Sequence, residues 1–309
     1  MVRKRSIKKA LEIGQSMADA TLKRRRKAAL TRKRALEKSQ TLVTRSIALT
    51  TKGVVKKVAS ASAGILIAEG DSWFDYPLHD VLSELEDVYG YDVESVAHKG
   101  DTVEDMAYAV GQLDAFSRRV EKVLRSGMKP KAILLSGGGN DVAGDEFAML
   151  LNHATSSIAG LNASIVTGVI DERTRDAYVT ILKAVAAICE GQIGEVVPIV
   201  IHGYDYPVPD GRGFLGGWGP LPGPWLEPSF RKKGYEDMAS RMPIVVELID
   251  RLNAMLAGLA GRAPFAHVKY VDLRGTLSTG PRYRDWWANE LHPTRKGFEA
   301  VTAKFVAAL

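Results

Sequence analysis

Residues 67–77 read IAEGDSWFDYP, and Ser72 is the residue in that stretch with the clearest chemical potential. An apolar run ends at Glu69, Gly70 and Asp71 turn the chain, and Trp73, Phe74 and Tyr76 follow the hydroxyl. Gly70, Asp71 and Ser72 also suit a plain strand-to-helix turn, so the stretch alone does not separate a presented nucleophile from a helix cap. Three other stretches carry matching chemistry. AHKGD brings Gly100, SGGGND brings Gly137 to Asp141, and NELHPTRKGF brings His292 just ahead of Pro293. Acyl transfer needs a hydroxyl nucleophile, a base for its proton and donors aimed at the developing oxyanion. Ser72 supplies the hydroxyl and His292 the base. Ser72 and Gly100 offer backbone N–H groups, and Asn140 offers a side-chain amide.

These stretches lie far apart, so a fold must gather them. GILIA (64–68), YDVESVA (91–97), KAILLSG (131–137), VVPIVIHG (196–203) and HVKYVDL (267–273) read as strands. Helical spacing fills 78–89, 102–126, 142–155, 172–191, 229–261 and 295–308. Near-continuous apolar strands alternating with helices predict an α/β fold with a five-stranded parallel sheet covered on both faces. Ligands of such sheets bind beyond the carboxyl ends of the strands, where the serine, glycine and asparagine stretches would meet. The long irregular segment 198–228 predicts a binding loop or lid. Its GRGFLGG fits a dinucleotide fingerprint in letters only, since no strand leads into it and Pro220, Pro222 and Pro224 follow.

GDS at 70–72, Gly100, GGND at 138–141 and LHP at 291–293, in this order, resemble the SGNH/GDSL hydrolases. The resemblance covers residues 64–309. It implies a flavodoxin-like three-layer α/β/α fold and hydrolysis of esters or thioesters without a metal or cofactor. Ser72 would attack, His292 would act as base, and Ser72, Gly100 and Asn140 would form the oxyanion hole. The family's usual Asp, three residues before the histidine, is Asn289 here. An amide can accept a hydrogen bond from the imidazole but cannot offset its charge. Glu290 or Asp285 turned in as the acid, a backbone carbonyl in a Ser–His dyad, or lost activity are the ways round this. Asn289 is the side chain expected to touch His292 or its loop. His202 ends the fourth strand at the same rim and is expected to line the site. Asp71 and Asp141 are expected to cap and pack, Asp141 at the start of helix 142–155.

Around the rim, Trp73, Phe74, Tyr204, Asp205, Tyr206 and Trp225 are the expected substrate-binding residues. Phe214 and Trp218 share the long loop, and Asp210 and Arg212 add polar handles. So many aromatic rings favour a lipid-like or short acyl ester, with a carbohydrate O-deacetylase as the alternative enzyme. A catalytically degenerate binding module is the alternative outside enzymology.

Composition adds a division of the chain. Of 42 Lys/Arg and 36 Asp/Glu in 309 residues, 18 and 3 fall in residues 1–60. That leaves 24 and 33 in the remainder, so a segment of charge +15 precedes a body of charge −9. Residues 1–60 read as a basic, partly helical arm and 61–309 as the hydrolase domain. An anionic membrane surface or nucleic acid is the expected kind of partner for the arm. It holds no aromatic residue on which bases could stack. The single cysteine, Cys189, no secretory leader and no membrane-length apolar run predict a cytoplasmic protein.

Overall fold

The structure is a computed structural model that describes residues 62–309, apart from Leu78 and 217–220, together with residues 8, 9, 12, 15, 16, 19 and 23. Those seven positions of the basic arm are helical; the rest of 1–60, and Trp218, lie outside the described residues.

Five parallel strands form one sheet. They are β1 (Ile65–Glu69), β2 (Asp92–Ser95), β3 (Ala132–Leu135), β6 (Ile199–His202) and β7 (Val268–Val271), in the order β2-β1-β3-β6-β7. β3 (AILL) and β6 (IVIH) are buried at every position, and β1 at all but its first, as central strands covered on both faces must be. The edge strands β2 (DVES) and β7 (VKYV) carry charge where water reaches them. Between β3 and β6 a small antiparallel pair, β4 (Leu151–Asn152) and β5 (Gly160–Leu161), sits outside the main sheet.

Eight α-helices flank the sheet among the described residues: α1 (Val81–Asp87), α2 (Val103–Tyr108), α3 (Gln112–Arg125), α4 (Ala163–Val166), α5 (Arg175–Ile193), α6 (Glu227–Lys232), α7 (Met238–Leu259) and α8 (Arg295–Ala308). α1 packs on α8, while α2, α3 and α5 pack on one another, giving the three-layer α/β/α arrangement. In α3, Leu113, Phe116, Val120 and Val123 recur at helical spacing on the buried side, and Lys122 and Arg125 sit in the last turn, where the macrodipole favours cations.

Three predicted helices differ. The run 102–126 breaks into α2 and α3 around Ala109–Gly111, and 229–261 breaks into α6 and α7, the second capped by Asp237 accepting from Ser240 N–H at 2.8 Å. Residues 142–155 form no α-helix. Gly144–Leu150 is a 3₁₀ segment running into β4. Asp141 therefore caps a different element: its Oδ2 accepts the N–H of Val103, the first residue of α2, at 3.0 Å. Helix α5 starts later than predicted, because Thr167–Thr174 coil as a π-helix before it. No described helix is long and apolar enough to cross a membrane.

Candidate active site

The ends of β1, β2 and β3 and the loop before α8 converge, and hydrogen bonds lace them together. After β1 the chain turns at once: Phe74 and Asp75 donate their N–H groups to Asp71 O at 3.0 and 3.1 Å. Ser72 therefore rides a tight turn. Helix α1 begins only at Val81, with Asp80 as its cap, so Ser72 does not open a helix, contrary to the expected strand-to-helix entrance. Gly70 is required by close approach, because a Cβ there would lie 2.6 Å from Ser136 Cβ.

Asp71 fixes the turn from beneath. It is 2% exposed and accepts from Trp73 N–H at 3.0 Å, from Ser136 Oγ at 2.7 Å and from the Tyr204 hydroxyl. Ser136 also meets His202 Nε2 at 2.8 Å, and His202 Nδ1 donates to Gly203 O at 2.7 Å. His202 is fully buried, with Trp73 and Phe74 packed on it, and burial lowers its pKa. It supports the Ser72 turn from below and does not line the site as the sequence suggested. Glu69, at the end of β1, has its pKa pushed up to about 8, mainly by burial, and its Oε1 accepts from Gly70 N–H at 3.0 Å.

The segment after β2 is tied to this turn. His98 N–H donates to Gly70 O at 2.8 Å and Lys99 N–H to Asp75 Oδ2 at 3.0 Å. Gly100 has φ +92°, a left-handed conformation that side chains disfavour. No atom would obstruct a Cβ there, so backbone conformation rather than crowding demands the glycine. Asn140 donates through Nδ2 to Asp101 O at 2.9 Å, which ties the end of β3 to the same segment and leaves its second amide proton unassigned.

Opposite stands the loop before α8. Ser72 Oγ lies 2.7 Å from His292 Nε2. His292 Nδ1 lies 2.9 Å from Asn289 Oδ1, which also accepts the backbone N–H groups of Leu291 and His292 at 3.0 and 2.9 Å. Those two N–H groups fix which way the amide points, and Asn289 Nδ2 donates to the Tyr76 hydroxyl at 3.0 Å. The amide oxygen is an acceptor, so Nδ1 carries the proton and Nε2 is free to accept from Ser72. The Tyr76 ring stacks on the imidazole at 4.4 Å between centroids, and Trp225 meets it edge-on at 5.4 Å. Burial pushes the His292 pKa down to about 3, and that of Tyr76 up to about 12, so both rings are neutral. Trp73 Nε1–H donates to Leu291 O at 3.2 Å, pinning this loop to the Ser72 turn.

Neither acid proposed to replace Asn289 reaches the imidazole. Asp285 pairs with Arg282. Glu290 is buried and turned to the long loop, where Oε1 accepts the N–H groups of Gly211 and Glu227 at 2.9 and 3.0 Å, and Oε2 those of Trp225 and Leu226 at 2.6 and 2.7 Å. No backbone carbonyl holds Nδ1 either; Asn289 does. Arg212 secures the same loop by donating to Trp287 O and Ala288 O at 3.0 and 3.1 Å and pairing with Asp210, so these two are struts rather than handles for a ligand.

Of the expected substrate-binding residues, Trp73, Tyr204, Asp205 and Trp225 border the hollows around Ser72. Phe74 does not: it is buried against His202 and Phe305. Tyr206 also stands away from them, donating to Asp250 at 2.9 Å. The roles of Glu290, Ser136 and Tyr76 were missed; a glutamate two residues before the histidine, a serine before GGGND and a tyrosine four residues after Ser72 were their signals.

The family model for GDSL-like lipases/acylhydrolases matches residues 60–300. No curated protein matches the chain. Among solved structures, a lipase from a goat rumen metagenome is 16% identical, with 79% of this chain and 96% of that one covered and a TM-score of 0.46. An extracellular lipase from Streptomyces rimosus is 17% identical, with 80% and 100% covered and a TM-score of 0.46. A catalytic mutant of an acetylxylan esterase from Geobacillus stearothermophilus is 15% identical, with 80% and 94% covered and a TM-score of 0.39. On its family match, the chain belongs to the GDSL-like lipases/acylhydrolases and is a hydrolase of the GDSL type.

Proposed function

We propose that the protein cleaves carboxylic esters or thioesters through an acyl-enzyme on Ser72. The observation that carries this reading is the 2.7 Å contact from Ser72 Oγ to His292 Nε2, with Nδ1 held by Asn289 Oδ1 at 2.9 Å. His292 takes the serine proton as Oγ attacks the carbonyl carbon. Ser72 N–H, Gly100 N–H and the second amide proton of Asn140 meet the oxyanion. When the tetrahedral intermediate collapses, His292 returns the proton to the departing oxygen of an ester or sulfur of a thioester. A water, deprotonated by the same nitrogen, then attacks the acyl-enzyme, and as the acid leaves, the Oγ–acyl bond breaks and His292 returns that proton to Ser72 Oγ. Every atom this cycle uses from the chain is neutral at rest.

Hydrolysis of p-nitrophenyl esters by wild type and Ser72→Ala tests the reading. The variant is expected to lose roughly 10⁴-fold or more in kcat, as removal of a serine nucleophile does elsewhere. Ser72→Ala turning over the ester as fast as wild type would remove the serine from the mechanism.

A further inference from the structure

Two hollows meet at Ser72, Asn140 and Leu291, and they differ in kind. The inner one lies between the 142–147 segment (Val142, Ala143, Phe147) and one face of α7 (Val245, Leu248, Ile249). The outer one is walled by Tyr76, Lys99, Gly100, Phe214, Trp225 and His292. His292 borders the outer hollow and not the inner.

We infer that the substrate is an ester of an apolar acyl chain longer than acetyl, with the chain held in the inner hollow and the alcohol leaving through the outer one; this rests on the hydrolase reading above. The departing oxygen must take its proton from His292 Nε2, so the alcohol lies on the side that the imidazole borders. The acyl chain lies on the other. Two carboxylates border the inner hollow, yet neither offers it a free charge. Asp71 accepts from Trp73, Ser136 and Tyr204, and Asp205 accepts the N–H groups of Tyr206 at 2.8 Å, Gly275 at 2.9 Å and Leu277 at 2.5 Å. What remains for a ligand is the apolar lining. An acetyl group would leave that lining empty, whereas each methylene buried there favours the transition state about fourfold.

A p-nitrophenyl series from acetyl to octanoyl, with one constant alcohol, reads this directly. In wild type, kcat/KM is expected to rise about fourfold per carbon over the first additions. Ala143→Leu narrows the inner hollow and should lower the hexanoyl-to-acetyl ratio at least tenfold. Val245→Ala widens it and should move the optimum to a longer chain. Opposite shifts from two substitutions on facing walls cannot come from general loss of folding. With butanoyl held constant and the alcohol varied, the ratio of Ala143→Leu to wild type should stay constant. Acetyl as the best wild-type substrate, a chain-length profile that neither variant moves, or a ratio that follows the alcohol instead of the acyl group overturns the inference while Ser72-dependent hydrolysis stands. No Ser72-dependent cleavage of any ester, with no labelling of Ser72 by a fluorophosphonate, overturns the hydrolase reading and the inference with it.

Discussion

The Ser72 turn, 69–76, and the His292 loop, 285–293, are built alike up to one residue. Each sets a buried carboxylate within two residues of its reactive side chain, Asp71 beside Ser72 and Glu290 near His292. Each turns that carboxylate away from the reaction, Asp71 towards two hydroxyls and an N–H, Glu290 towards four backbone N–H groups. The difference lies at Asn289, where a neutral amide contacts the imidazole. The buried carboxylates in this site therefore position hydroxyls and backbone, and the Ser72–His292 pair itself has no ionic partner. Two acids and one amide divide the work that a single aspartate beside the histidine would otherwise share.

Removing the first of these anchors should have the largest effect. Asp71→Ala strands Ser136, Tyr204 and the Trp73 N–H in a dry interior, and should cost about 4 kcal/mol of stability by urea unfolding. Glu290→Gln is milder, because one oxygen still accepts two N–H groups while the new NH₂ faces two others. It should cost about 2 kcal/mol and raise KM, since the loosened loop carries Trp225 in the outer hollow. If Glu290→Gln matched wild type in both, the glutamate would not be what holds the loop.

The sheet and the four reactive stretches were legible because they obey local rules: apolar runs make central strands, and glycine-rich polar residues end them. Helix breaks were partly hidden. The apolar spacing over 142–155 looks helical, but the segment runs through Gly144 as a 3₁₀ turn into a strand pair whose partner, Gly160–Leu161, lies beyond the window any local reading spans. His202 was misplaced for a similar reason: a strand-end histidine looks exposed until Trp73, Phe74 and Phe305 close over it. Asn289 stands at the imidazole as its place three residues before His292 led one to expect. The role of Glu290 was not readable, because only the long loop's folding back brings its four backbone N–H groups to that carboxylate.

Asn289→Asp sharpens the comparison at the smallest cost to the structure. The carboxylate keeps one oxygen on Nδ1 and on the N–H groups of Leu291 and His292, and the Tyr76 hydroxyl, which now accepts from the amide, turns to donate. The proposed mechanism needs neutral His292, whose pKa burial holds at about 3, so the acid limb of kcat/KM in wild type should fall near pH 3. A negative charge beside Nδ1 favours the imidazolium and raises that pKa, so in the variant activity should begin to fall at a higher pH. Above that limb the same charge stabilises the imidazolium formed in the transition state, and kcat should increase roughly tenfold, about 1.4 kcal/mol. The gain is far below the loss seen when an amide imposes the wrong tautomer, because here Asn289 already holds the right one. A pH–rate profile of both proteins on one ester measures the two effects together. An unmoved acid limb with unchanged kcat would mean that the imidazole does not sense position 289.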